Sequence, residues 1–258
     1  TTLEPEQLER LLGHINARFQ VYQVKEYTVE AGRPDSITRE KLQAIRKFPV
    51  TRISVNPQTM NQATLELIGR RHTVEDTRHA FALARECGFD NINMDIIVGL
   101  PGEQKEDVQH TLEEIKKLDP DSLTVHSLAV KRAARLNMFK EQYEEMEFIN
   151  NQEIMDMAMK YAYQCQMGPY YLYRQKNMCG NLENIGYAKV DKAGIYNILI
   201  MEEKQSILAA GAGASTKFVF QNGKRIERAE NVKDVANYIS RIDEMIERKR
   251  TGIDTWLK

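Results

Sequence analysis

The stretch NINMDIIVGLPGE, residues 91 to 103, decides how the chain is read. NINMDIIVGL is a bounded apolar run of strand length, and Gly-Leu-Pro-Gly ends it in a tight turn. Asp95 stands in the middle of that run. A carboxylate in a buried strand is costly unless it has a partner or faces a ligand at the strand's mouth. The flanking sequence shows which.

Upstream, Leu8, Leu11, Leu12, Ile15 and Phe19 form one apolar helical face, with Pro5 suited to the first turn. A strand follows at KEYTVEA, then a helix after Thr38, then the short strand TRISVNP. Asn61 is placed to cap a helix through NQATLELIGR, and Thr73 with Asp76 forms a capping-box pattern before VEDTRHAFALAREC. Downstream of the opening stretch, Val108, Leu112, Ile115 and Leu118 share a helical face ended by Asp119-Pro120, and SLTVHSLAV is the next strand. Four strands joined by helices of this length imply βαβ crossovers and a parallel sheet.

Residues 1–130 therefore read as part of a barrel or open α/β sheet, and residues 131–258 as a smaller appended region. In the second part KRAARLNMFKEQYEEMEF is polar and irregular, and NNQEIMDMAMKYAYQCQ is a long helix. The segments YYLYRQ, GIYNILI and AAGAGAST look like strands and turns. A final helix runs along Val232, Val235, Ile239, Ile242 and Ile246.

The 258 residues, 42% hydrophobic and 28% charged, suffice for one sizeable core. A net charge of -1 gives no global attraction to nucleic acid or an anionic membrane, so neither is expected as a partner. No window approaches the roughly 18 to 20 apolar residues of a membrane span. TTLEPEQLERLL lacks the pattern of a signal peptide, and the expected location is the cytoplasm. Cys87, Cys165 and Cys179 are too far apart for an iron-sulfur or zinc motif and fit reduced thiols, so no metal ligands are assigned here.

Polar residues recur where the strands end. KEYTVEA leads to Glu30, RISVNPQ to Asn56 and Gln58, NINMDII carries Asp95, and SLTVHSLA brings His126 and Ala129. In a parallel sheet the strand C-termini open on one side, so these groups converge. For any one of them a helix cap or loop ion pair is the simpler explanation, but their recurrence on successive strands points to a shared site. Arg70 reads equally as a charge on a helix C-terminus and as a site residue. GAGAS, residues 211–215, lacks the spacing and βαβ setting of a dinucleotide loop.

Taken together, VEAGRPDSIT, TRISVNPQTMNQATLELIGRRH and GFDNINMDIIVGLPGE resemble the radical S-adenosylmethionine (SAM) enzymes of the oxygen-independent coproporphyrinogen III oxidase group. YYLYRQKNMCGNLENIGYA and IYNILIMEEKQSILAAGAGAST look like its HemZ-type coproporphyrinogen dehydrogenase branch. The resemblance implies a partial (β/α)6 TIM-like barrel lacking its first strands, with a smaller C-terminal α+β region. It implies SAM contacts at Glu30 (ribose hydroxyls), Gln58, Arg70 (near the methionyl carboxylate), Asp95, Ile97 and Ala129. The family's [4Fe-4S] cluster loop, C-x-x-x-C-x-x-C, and its G-G-T-P segment are not in these 258 residues. The expectation is a C-terminal fragment whose cluster ligands lie upstream and which is inactive alone.

The implied reaction is oxidative decarboxylation of coproporphyrinogen III to protoporphyrinogen IX, with a reductant for the cluster as further partner. The substrate's four carboxylates call for basic side chains, and Lys131, Arg132, Arg135, Arg174 and Lys176 are the candidates, each also readable as a solvated basic loop residue. One rival is a haem-binding chaperone of the related HemW-type branch. Another is a barrel enzyme using Glu30 and Asp95 as acid and base without a cluster.

Overall fold

The computed structural model describes residues 2–129, 146–174 and 178–257. Among these, the chain forms two compact units, Thr1–Ile195 and Tyr196–Lys258. The division falls well after residue 130, where the change in sequence pattern places a boundary.

In the first unit, α1 (Pro5–Arg18) precedes β1 (Thr28–Gly32), α2 (Arg39–Arg46), β2 (Arg52–Val55), α3 (Gln62–Leu67), α4 (Val74–Glu86), β3 (Ile92–Val98), α5 (Lys105–Leu118) and β4 (Ser122–Ser127). Then come α6 (Gln152–Gln164), β5 (Gly168–Tyr173) and β6 (Asn184–Ala188). The sheet order is β1-β2-β3-β4-β6-β5. The first four strands are parallel, as the helical connections require, while β6 adds antiparallel to β4 and β5 antiparallel to β6. Among the described residues the sheet does not close on itself, and β1 and β5 are its edges. Because β5 and β6 extend the sheet, the region after residue 146 belongs to the same layer as the parallel strands and moves the division to Ile195.

The local signals account for the helices. Pro5 occupies the first turn of α1, and Thr73 and Asp76 cap α4 reciprocally, at 3.0 and 2.7 Å. Asn61 precedes α3 but makes no cap. Its Nδ2 instead donates to Glu103 Oε1 at 3.0 Å and to the Asp107 carbonyl at 3.1 Å. Leu8 and Leu12 of α1 are buried, whereas Leu11 and Phe19, expected on the same face, are exposed.

The sheet has two unlike faces. Ile53, Val55, Ile92, Met94, Ile96, Val98, Leu123 and Val125 are buried in the core with residues of α1, α2, α4, α5 and α6, including Leu12, Leu42, Phe81, Leu112 and Ala158. Each such side chain contributes about 1.5–3 kcal/mol on burial. The intervening residues, Arg52, Ser54, Asn93, Asp95, Ser122, Thr124 and His126, form the opposite, polar face, because successive side chains on a strand alternate.

The second unit holds α7 (Ile195–Met201), the antiparallel pair β7 (Ser215–Phe220) and β8 (Arg225–Glu230), α8 (Val235–Ser240) and α9 (Ile242–Trp256). GIYNILI, expected as a strand, is helical over Ile195–Met201. The expected single final helix breaks at Arg241. Val235, Ile239 and Ile246 of its predicted stripe stand exposed, and Met245 is the buried residue. No described helix is long and apolar enough to cross a membrane.

Candidate functional site

The polar face carries Asp95 and His126, with Glu30 on its β1 side and Gln58 at the end of β2. Asp95 pairs in register with Thr124, and Ile97 with His126. His126 Nε2 lies 3.6 Å from Asp95 Oδ2, and Asn93 Nδ2 donates to Asp95 Oδ1 at 2.7 Å. Burial pushes the Asp95 carboxyl up, but the His126 contact and charge, with hydrogen bonds from Asn93 and Thr124, outweigh it and leave the group below the usual carboxylate range. Asp95 is thus a carboxylate held ionised inside the sheet, which answers the cost that its position raises.

Gln58 stands beside it for a backbone reason. Its N–H donates to the Asp95 carbonyl at 3.0 Å and its carbonyl accepts from the Ile97 N–H at 2.7 Å, which extends β2 past its end. It does so with φ of +70°, a left-handed conformation that a non-glycine residue rarely adopts. Strain of this kind persists where surrounding contacts over-determine it, and it clusters at binding sites. The loop before it is held by His72, buried, whose Nε2 lies 3.0 Å from the Pro57 carbonyl; burial holds this imidazole below its usual pKa.

Glu30 on β1 is exposed and lies 3.8 Å from Nη1 of Arg52, whose side chain is only 3% exposed. Ala129, past the end of β4, bridges Met178. Arg70 follows α3 at the surface, near the Arg33–Asp35 pair; crowding by the surrounding chain and the neighbouring Arg33 charge lower its pKa. No contact in the structure joins it to Asp95. Of the basic residues proposed for substrate, Arg174 is exposed and turned toward the Asn181 carbonyl and Glu183. Lys131, Arg132, Arg135 and Lys176 lie outside the described residues.

Several participants were not singled out from the sequence. Arg52, Asn93, Ser122 and Thr124 lie on the same face as Asp95, and their signal was available in the period-two polar spacing of RIS, NMD and SLTVH. Tyr171 comes from β5, beyond any such pattern. Its ring lies where a Cβ on Gly186 would be, 2.1 Å away, so only glycine at that position lets the ring cross β6 toward Thr124 and Asp95. Burial pushes the Tyr171 hydroxyl up to about 12, with Tyr170 and Asp95 adding to the shift, so it stays a neutral donor.

The turn after β3 is equally constrained. Gly99 has φ of +83°, and a Cβ there would meet Cys179 Sγ at 3.0 Å. Glu103, which closes the opening stretch, is buried; burial pushes its carboxyl up, and Thr59 and Asn61 donate to it at 2.6 and 3.0 Å. It braces the segment that follows Gln58 and is not part of the polar face.

The donor set suits a ligand carrying hydroxyls and a positive charge: an ionised carboxylate at Asp95, a second on β1 at Glu30, an amide at Gln58 and a half-buried imidazole. It does not suit an iron-sulfur cluster. Among the described residues no three His, Cys, Asp or Glu side chains gather as metal ligands, and burial pushes the Cys165 and Cys179 thiols up, away from the thiolate form that iron binds.

Residues 3–115 match the family model of the radical SAM superfamily. The chain is 43% identical, over 250 residues covering 96% of it and 50% of the relative, to the oxygen-independent coproporphyrinogen-III oxidase-like protein HemZ of Bacillus subtilis. It is 37% identical over 132 residues to the heme chaperone HemW of the same organism, covering 51% of this chain and 35% of that one. Coproporphyrinogen III oxidase (HemN) of Escherichia coli superposes with a TM-score of 0.68 at 20% identity, over 94% of this chain and 54% of that chain, a likeness of fold. The chain spans about half the length of the HemZ relative it matches. With its parallel strands and its polar face in place, residues 3–115 of this chain form a radical SAM domain, and the chain is similar in sequence to HemZ and in fold to HemN.

Proposed function

We propose that the polar face binds S-adenosylmethionine and that the chain takes part in radical SAM oxidative decarboxylation of coproporphyrinogen III to protoporphyrinogen IX. The observation that carries the reading is the ionised Asp95 beside the left-handed Gln58, with Glu30 on the same face. SAM, when bound and given one electron by a reductant outside the described residues, would supply the radical chemistry of the reaction. The residues of this chain do the rest. Glu30 accepts from the ribose hydroxyls. Asp95, with His126 behind it, offers a fixed carboxylate, and Gln58 an amide. Ile97 and Ala129 pack on the adenosine, and Arg70 meets the methionyl carboxylate. Tyr171, protonated, closes the face on the β5 side and limits access of water. Lys131, Arg132, Arg135, Arg174 and Lys176 remain the candidates for the propionates of the porphyrinogen. No step is assigned to iron and sulfide, because the cysteines do not fit them.

The HemZ likeness runs over 96% of the chain and the HemW likeness over 51%, which favours the oxidase-like reading over the chaperone. Calorimetric titration of the purified chain with SAM tests the site. Saturable binding that is lost in Asp95→Asn and Glu30→Gln is expected, and a wild-type chain that shows no binding sinks the reading. Charge reversal at Arg132 and Arg135 is expected to weaken coproporphyrinogen binding; unchanged affinity removes those two residues from the substrate site. A tight haem complex with a shifted Soret band, without turnover of the porphyrinogen, would favour the chaperone.

A further inference from the structure

Arg52 is a buried charge with an incomplete set of partners. A guanidinium carries five donors and no acceptor, and here Nε has no partner among the described residues. Nη2 donates to Ser122 Oγ at 3.3 Å, two strands away, and Nη1 faces Glu30 Oε1 at 3.8 Å. Glu30 is the one carboxylate within ion-pair distance of it among the described residues.

The contacts continue in one direction. Arginine can only donate, so Ser122 Oγ accepts from it and must turn its own proton elsewhere. That proton goes to Asn93 Oδ1, 2.9 Å away. With its oxygen engaged by Ser122, and with Thr124 Oγ1 also 3.3 Å from that oxygen, the Asn93 amide can stand only one way round. Its Nδ2 then faces Asp95 Oδ1 at 2.7 Å. Asp95 Oδ2 meets His126. The two carboxylates on the polar face thus stand at the ends of one row whose middle members, Arg52, Ser122 and Asn93, are buried, while its Glu30 end is exposed. Ser122 is fully buried and Asn93 nearly so, and no water competes with the order.

We propose that Arg52 is a positioning residue for the ligand site: from its buried place within the polar face it fixes the direction of this row, so that Glu30 and Asp95 are aimed together at a single cationic ligand with hydroxyls. The ligand's identity as SAM rests on the function proposed above; the row itself does not.

The test uses Ser122→Ala, which removes one oxygen from the middle of the row, alongside Arg52→Met and Arg52→Lys. SAM affinity is expected to fall about tenfold in Ser122→Ala and Arg52→Met, the loss of one well-oriented hydrogen bond, with partial recovery in Arg52→Lys. Asp95→Asn should then cost less in the Ser122→Ala background than in the wild type. Unchanged affinity, or fully additive losses, overturns the proposal.

A second readout needs no ligand and survives a weakened fold. The Asn93 side-chain amide and the Asp95 carboxyl are followed by NMR against pH, with Arg52, Glu30, His126 and Tyr171 as the charged or titratable groups that face them. In the wild type the Asn93 amide resonance should move with Asp95 titration, and in Ser122→Ala that coupling should be lost. Coupling that persists in Ser122→Ala overturns the row. If the wild type fails to bind SAM while the coupling is lost as expected, the row stands and the cofactor assignment falls.

Discussion

His126 Nε2 and Asp95 Oδ2 stand 3.6 Å apart across two adjacent parallel strands, two residues out of register with each other and so on the same face. A positive or donor-bearing imidazole and a carboxylate so placed keep each other in fixed orientations, and the carboxylate is the member whose ionisation the pair protects.

Asp95 therefore contributes stability that depends on pH. Its folded pKa lies below the unfolded value, so the contribution is present above about pH 4 and is lost as pH falls through the folded pKa. Urea unfolding of wild type and His126→Ala should show a gap at pH 7 that narrows toward pH 3. The Asp95 midpoint, read by carboxyl NMR, should rise in His126→Ala; a midpoint that stays put removes His126 as the cause.

Gln58 offers a trade between stability and binding. Glycine adopts its φ of +70° without the penalty of about 1 kcal/mol that a side chain carries there. Gln58→Gly should unfold at equal or higher denaturant concentration than wild type, and should bind SAM more weakly because the amide is gone. A clear loss of stability would show that the side chain is structural.

At Gly186 the expectation is opposite. A methyl group there would sit 2.1 Å from the Tyr171 ring and 2.9 Å from that of Tyr170, and both would have to move. Overpacking of this kind costs about 1–3 kcal/mol, measurable as a drop in the denaturation midpoint. Tyr171→Ala combined with Gly186→Ala should recover part of the loss, since the larger clash is then removed.

His72 gives a second pH signature of different origin. It is buried with a folded pKa below the unfolded one, so the neutral form is favoured by folding. Its contribution is full above about pH 6.5 and falls as pH drops below that value. His72→Gln, which can still donate to the Pro57 carbonyl, should flatten the stability profile below about pH 6.5, and a profile that keeps its wild-type slope would assign that slope to another group.

Much of this was legible before any coordinates. The helix-strand alternation up to Ser127 followed from apolar spacing and caps, and β1 to β4 overlap the expected strands KEYTVEA, TRISVNP, NINMDIIVGL and SLTVHSLAV, the last three ending short of their expected bounds. Asp95 was legible as a misfit in an apolar run. What escaped was non-local. The strand Asn184–Ala188 carries too little periodicity in five residues, and its partner β4 lies some sixty positions earlier. The left-handed backbone of Gln58 has no sequence mark, because glutamine is not a residue that favours it. Arg52 reads as a surface arginine in isolation, and only the register of β2, β3 and β4 shows it buried within the polar face.

The two unlike faces also set the terms on which such a chain can diverge. In β3 and β4 the core takes one parity of residue and the ligand face the other. Point substitutions on the odd positions of β3 can retune what is bound without touching the core that Ile92, Met94, Ile96 and Val98 build. Insertion or deletion of one residue inside the strand would instead exchange Asp95 for a neighbouring methionine or isoleucine and put a carboxylate among the helices. Innovation in this architecture is thus confined to replacement within the strands, while changes of length are left to the turns beyond them.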